Sequence, residues 1–579
     1  MMRFQTLAET FARLEETSSR LRIIELLADL FRRLRPTEIE PAVYLLLGQL
    51  RPPYEGVEAG VGEKLLTAAL AAAYGVSEAT VVRRFKRAGD LGLVAEALAP
   101  AAPRRRLSLR QAYQGLLDVA GATGAGSLGR KTALLAAALS RVGPLEAKFL
   151  VRAAQGRLRL GVGDQTILEA GALAALGNRA AKKRLEHAFN VRSDLAGVLR
   201  VAFETGERGL AAIEPRIGVP VRPALAQRLP SAAAIIARLG AVQVEPKYDG
   251  FRLQMHRDGR QVWAFSRRLE NVTAMFPELA DGVRRQLKAT RAIIEGEAVG
   301  YNPETGEFLP FQLTMTRKRK TGVAEAAERY PVRLFAFDLL YAGNRNYIPR
   351  PQRERSRRLR ALLPFSPSDR IAVSETRIVR SVDELETCFD EMIERGLEGI
   401  LAKRPDAPYQ AGVRGYQWVK LKRAYQSKLR DTVDLVLVGY LRGRGRRAVL
   451  GIGSLLGAVY DPEQDRFRTV AKIGSGLSEA GWKDLRARLD RHVVRARPAR
   501  VDALITPDVW VEPKYVVEVL ADEITRSPSH TCGKSGDEPG YALRFPRMVS
   551  GIRADKAPAD ATSEREILDL YRQQRRRRR

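Results

Sequence analysis

Over residues 1–217, apolar side chains return every three or four positions. Phe4, Leu7, Phe11 and Leu14 mark one face of a helix. Ser18 or Ser19 can cap a second, which carries Ile23, Ile24, Leu27, Leu30 and Phe31. Pro36 and Pro41 punctuate the pattern. Ser77 opens a helix bearing Arg83, Arg84, Lys86 and Arg87, and further basic clusters stand at 104–106, 130–131 and 182–184. This period predicts an all-α region with basic surfaces.

Around 216–230 the period is lost, and Gly218, Pro220 and Pro223 predict a linker. Beyond it, short alternating runs predict strands at 262–265, 292–294, 333–337 and 399–402, with helices at 280–288 and 382–395. Strands interleaved with helices make residues 218–426 an α+β domain. From Thr432 the texture changes again. Strands at 433–440, 455–460 and 469–473, separated by turns at Gly443, Gly445, Gly451 and Gly453, predict a small β-barrel. Arg575 to Arg579 read as a disordered basic tail, attracting DNA or simply solvated.

The chain has 579 residues, 98 Lys+Arg against 67 Asp+Glu, and a net charge of +31. That excess points to an extended polyanion, nucleic acid ahead of a membrane. Two cysteines, Cys388 and Cys532, exclude a disulfide framework and a four-Cys zinc site. The four histidines show no metal spacing. The N-terminus has no apolar signal core and no stretch is apolar enough to span a bilayer, so the expectation is a cytoplasmic protein without a membrane.

Candidate chemistry centres on Lys247-Tyr248-Asp249-Gly250, between two strand-like runs. Taken alone, these residues fit either an Asp-Gly turn beside an exposed Lys, or a Lys whose amine burial and cationic neighbours make nucleophilic. Gly250 fits a position where a side chain would block a close ligand. Downstream come Ser266-Arg267-Arg268, Glu295-Gly296-Glu297, Phe337-Asp338, Glu398-Gly399-Ile400-Leu401-Ala402-Lys403, then Arg414 with Lys420 and Lys422 two apart. Last come Arg544-Phe545-Pro546-Arg547 and Arg553-Ala554-Asp555-Lys556. Singly, Glu297, Glu398 and Lys403 could be surface ion pairs, Phe337 plain core, and the two lysines a solvated strand face. Gly161 and Gly163, ahead of a helix, form either a phosphate seat or an ordinary interhelical turn.

In this order the motifs resemble the covalent nucleotidyltransferases, and among them the ATP-dependent DNA ligases of the archaeal and eukaryotic replicative type. The resemblance covers nearly the whole chain, including 510–514 and 517–527. It implies a multidomain fold: an all-α DNA-binding domain at 1–217, an α+β adenylation domain at 218–426, and a C-terminal OB-fold β-barrel with a basic tail at 427–579. It implies that Lys247 attacks the α-phosphorus of ATP. Glu245 would bond the adenine and Phe337 stack on it, while Arg252, Arg267 and Arg414 hold the nucleotide. Glu297 and Glu398 suit Mg²⁺, with Mn²⁺ as an alternative, and Lys420 and Lys422 would offset phosphate charge. Arg547, Arg553, Asp555 and Lys556 would serve the first step, at the pyrophosphate.

The partners implied are nicked double-stranded DNA and a sliding clamp or repair proteins, in replication, repair or recombination, with the enzyme a monomer. Glu295 stands where many relatives carry Asp, leaving its metal role open, and Pro246 where many carry an aromatic residue. The rival readings are an RNA ligase, a capping guanylyltransferase, or a non-catalytic DNA-binding clamp. An NAD-dependent ligase would need a four-Cys zinc module.

Overall fold

The computed structural model describes all residues except 18, 102–106, 303–307, 310–313, 315, 318, 320, 365–369, 396, 423–431, 444–449 and 577–579. Arg104 to Arg106, Ser18 and Gly445 therefore lie outside the described residues. The chain divides into two compact units, Met1–Leu421 and Lys422–Arg579.

The first unit begins with helices, from Phe4–Glu15 through Leu195–Ala211. Phe4, Leu7, Phe11 and Leu14 are all buried, and Phe11 meets Phe149 edge to face at 5.3 Å. Ser19 caps Arg20–Arg33 by accepting from the Arg22 N–H. Pro36 opens the next helix, Pro36–Leu46, as proline does at a first position. Pro41 does not end that helix but lies inside it. The bond it cannot donate would have gone to the carbonyl of Thr37, an exposed residue of the first turn.

Two sheets follow. The first, of five strands, is ordered β1 (Leu225–Arg228), β11 (Arg414–Lys422), β10 (Gly399–Lys403), β2 (Val242–Pro246) and β9 (Arg377–Val379). The second is ordered β4 (Gln261–Ser266), β3 (Phe251–Asp258), β5 (Arg291–Gly300), β6 (Val332–Ala342) and β7 (Arg345–Asn346), with β8 (Ile371–Val373) beside β6. Alternation sorts the second sheet into two faces. Leu253, Met255, Ile294 and Ala298 form a core with Phe276 and with Leu279 and Val283 of the helix Pro277–Gln286 that follows it. Arg252, Gln254 and His256 take the other face.

The predicted linker is not free. Its residues 225–228 form β1, paired in parallel with β11. The part ahead of β1 is tied down by side chains: Val221 N–H donates to Gln254 at 2.7 Å and Ala224 N–H to Tyr409 at 2.8 Å. Pro and Gly signal the loss of helix correctly but carry no information about partners so distant in sequence. At Gly250, a Cβ would come within 2.3 Å of the Ala298 carbonyl oxygen. Close approach to β5 thus already requires a glycine at this position.

The second unit is strand-rich. An eight-stranded sheet is built on β12 (Val433–Arg442), β13 (Ile452–Asp461) and β14 (Arg466–Ile473), all antiparallel neighbours. Arg575 and Arg576 belong to a helix, Glu564–Arg576, and not to a disordered tail. Glu564 and Glu566 in its first turn suit the helix dipole. Buried Ile567 and Gln574 anchor it, the Gln574 amide bonding both N–H and C=O of Ile524 at 2.9 and 3.0 Å. Arg577 to Arg579 lie outside the described residues.

Candidate active site

Lys247 follows β2 directly, and the ladder with β10 runs on through it. Lys247 N–H donates to the Gly399 carbonyl at 2.9 Å, and Glu398 N–H to the Lys247 carbonyl at 3.1 Å. This backbone pairing sets Glu398 opposite Lys247, and Glu398 Oε2 meets Lys247 Nζ at 2.6 Å. Burial pulls the amine's pKa below the ordinary lysine value, aided by Arg267 and Arg252 and opposed by Glu297 and Asp249. The exposed lysine beside an Asp-Gly turn is not what forms.

Glu297 lies directly across from Arg252 in the β3–β5 ladder. Burial pushes its carboxyl up to about 7, against the pull of Lys247 and Arg252. Lys420, from β11, is likewise depressed by burial first, then by Lys247, Arg414, Arg267 and Arg228. Four other cations thus act on Lys420, an arrangement that favours an anionic ligand. The side chain of Lys422 lies outside the described residues.

Glu295 has its oxygens engaged by protein. They accept from Tyr409 Oη at 2.6 Å, Arg252 Nη2 at 2.8 Å and Gln254 Nε2 at 3.2 Å. Arg252 Nη1 donates to the Ala224 carbonyl at 2.7 Å. Gln254 also receives His256 Nε2–H at 2.9 Å, while His256 Nδ1 accepts from Gly218 N–H at 3.0 Å. Burial lowers His256 to about 3, so it stays neutral and fills both roles. This network fastens 218–224 beside the site and aims Arg252. Tyr409, Gln254 and His256 are the members that the sequence did not flag. Their only sequence signal is a polar residue on a strand face that hydrophobicity alone leaves unexplained.

Below the amine, Glu245 and Lys403 form a second ion pair at 2.8 Å, their side chains 2% and 0% exposed. Lys403 is therefore no surface partner. Its amine also donates to the Phe337 carbonyl at 3.0 Å and lies 4.9 Å and 4.4 Å from the ring centroids of Phe337 and Trp418. Phe337 itself is half-buried, its edge against Trp418.

Asp164 opens the helix behind Gly161 and Gly163 and pairs with Arg222 at 3.2 Å. A carboxylate already occupies the first turn there. In the second unit, Asp434 receives Lys556 at 2.6 Å and Arg553 at 3.5 Å. Arg553 also pairs with Asp555 at 2.6 Å, and Arg547 with Asp522 at 3.2 Å. Among the described residues no group of three or more His, Cys, Asp or Glu side chains is placed to hold a metal ion by itself.

A desolvated amine among carboxylates and clustered cations, at the edge of two sheets and in one chain with a basic helical region, defines a nucleotidyl-transferring enzyme that works on nucleic acid. Residues 3–172 match the family described as DNA ligase N terminus, 223–422 the ATP dependent DNA ligase domain, and 449–556 the ATP dependent DNA ligase C terminal region. The chain is 46% identical over 573 residues to a probable DNA ligase of Dictyoglomus thermophilum, covering 99% of this chain and 98% of that one. It is 42% identical to a DNA ligase of Aeropyrum pernix, covering 100% and 99%. A solved structure titled Pmar-Lig_Pre. shares the fold at a TM-score of 0.54 and 17% identity, covering 95% of this chain and 99% of that chain. The chain belongs to the ATP-dependent DNA ligases. ATP is the co-substrate, and relatives named as DNA ligases disfavour the capping, RNA-ligase and clamp readings.

Proposed function

We propose that Lys247 is the nucleophile of a three-step nick-sealing reaction. The carrying observation is its amine, desolvated, held opposite Glu398 and under the influence of Arg252, Arg267 and Lys420, with Arg414 acting on Lys420. The neutral amine's lone pair forms a bond to the α-phosphorus of ATP, and the nitrogen gives up one proton to solvent. The bond from that phosphorus to the oxygen bridging to the β-phosphate breaks, and pyrophosphate leaves with its electrons. The 5′-phosphate of a nick then displaces Lys247 from the AMP. Finally the 3′-hydroxyl attacks the activated 5′-phosphorus, giving up its proton as AMP leaves and the strand is sealed.

Lys420 and the arginines offset the charge that gathers on the phosphates. Glu245 faces the base and Phe337 stacks on it. Glu297 and Glu398 fit Mg²⁺, which asks for one or two carboxylates beside phosphate oxygens and water. Bound there, the ion would neutralise phosphate charge and compete with Lys247 for Glu398. Arg547, Arg553 and Lys556 would have to leave Asp522 and Asp434 to hold an anion. We read the strand-rich unit as an OB-fold, and the enzyme as a cytoplasmic monomer serving replication, repair or recombination with a clamp or repair protein.

The test is incubation with α-labelled ATP and Mg²⁺, then a denaturing gel. Wild-type protein takes an acid-labile label that nicked duplex discharges with strand sealing, and Lys247→Ala takes none. Label persisting on Lys247→Ala would show that another residue is the nucleophile.

A further inference from the structure

We propose that Lys403 sets the base preference of the enzyme by holding Glu245 as an acceptor-only carboxylate. The inference rests on the reading that Glu245 faces the nucleotide base. Strands β2 and β10 run antiparallel, with Leu401 opposite Glu245 and Lys403 opposite Gln243. Glu245 and Lys403 are diagonal neighbours in that ladder, and the ion pair at 2.8 Å joins them. The other oxygen, Oε1, accepts from Gln243 Nε2 at 2.9 Å, and Gln243 is steadied by donating to Ser356 Oγ at 2.8 Å. The ammonium is fully enclosed, with the Phe337 carbonyl and the rings of Phe337 and Trp418 around it. Enclosing a charge this completely is costly, and the cost is offset only by a partner of opposite charge.

The consequence is chemical. Burial first, and Asp338 more weakly, push the Glu245 carboxyl above its ordinary value, while Lys403 is the largest influence pulling it back, ahead of Gln243. An ionised carboxylate has about four acceptor sites and no donor. It can accept from the amino group that adenine presents at position 6, but it repels the carbonyl oxygen that guanine presents there. A protonated Glu245 would carry an O–H and could donate to that carbonyl. Lys403 touches Glu245 and not the base, so it is a positioning residue for specificity.

The test measures self-labelling with α-labelled ATP and GTP from pH 5.5 to 9, for wild type, Lys403→Met, Glu245→Gln and the double variant. Wild type is expected to prefer ATP with a ratio that moves less with pH than that of Lys403→Met. In Lys403→Met the ATP:GTP ratio falls about tenfold at low pH, the scale of one lost hydrogen bond. It climbs again as pH rises and the unpaired Glu245 ionises. Glu245→Gln and the double variant show a low ratio at every pH. A merely structural Lys403 would lower labelling by both nucleotides in equal proportion, and that outcome overturns the proposal. So does a wild-type ratio in Lys403→Met. If Lys403→Met does not fold, Lys403→Gln, neutral but still polar, decides: a wild-type ratio at every pH there overturns the proposal. Glu245→Gln alone with an unchanged ratio would show that Glu245 does not read the base, which is a failure of the underlying reading. Loss of all labelling in wild type would instead refute the assignment of Lys247.

Discussion

Glu297 shows how one residue is tuned by function against stability. Its carboxyl ordinarily titrates near 4.5 and is pushed up to about 7 by burial. Because the folded-state value is raised, the folded chain binds the proton more tightly than the unfolded chain. Stability contributed by the neutral form is present below 4.5 and is lost as pH rises through 7. The shift is worth at most about 3 kcal/mol, less where water reaches the group. Glu297→Gln is therefore expected to match wild type in thermal midpoint at pH 4.5–5 and exceed it at pH 8, while losing self-labelling. Thermal scans at the two pH values check this; a midpoint gap that does not widen with pH would contradict it.

Among the elements, the helix Leu195–Ala211 hangs on its cap. Asp194 Oδ1 accepts from Gly197 N–H at 3.0 Å and from Tyr44 Oη at 2.9 Å. Tyr44 is buried, and burial with Asp194 raises its phenol well above the ordinary range. Asp194→Ala removes the cap and leaves a buried hydroxyl unpaired, for an expected cost of about 2–3 kcal/mol. Asp194→Asn keeps the one oxygen that accepts both bonds and should cost about half of that or less. Urea unfolding separates the two, and equal losses would mean that charge rather than hydrogen bonding holds the helix.

At the scale of the whole molecule, the net charge of +31 dominates the encounter with DNA. Neutralising six to ten phosphates costs roughly a thousandfold or more in affinity between 50 and 200 mM salt. Binding of a nicked duplex, followed by fluorescence anisotropy over that range, should fall steeply and linearly on logarithmic axes, and should change little when the duplex sequence is scrambled. A flat salt response would mean that phosphate contacts are few.

Periodicity in the sequence was enough to place the first helices, because Phe4, Leu7, Phe11 and Leu14 repeat at the spacing a buried face requires. It also placed strands beside Lys247, Glu297 and Glu398 and an alternating run through Lys420, and the order of those motifs indicated the chemistry. Tertiary structure decided what stands beside what. It made Lys403 a buried partner of Glu245 and not a surface charge, engaged Glu295 with Arg252 and Tyr409, and turned 225–228 from linker into strand. It also assigned the small size of Gly250 to contact with β5. Local patterns register which face a residue takes, whereas hydrogen bonds and desolvation depend on strands brought together from distant parts of the chain.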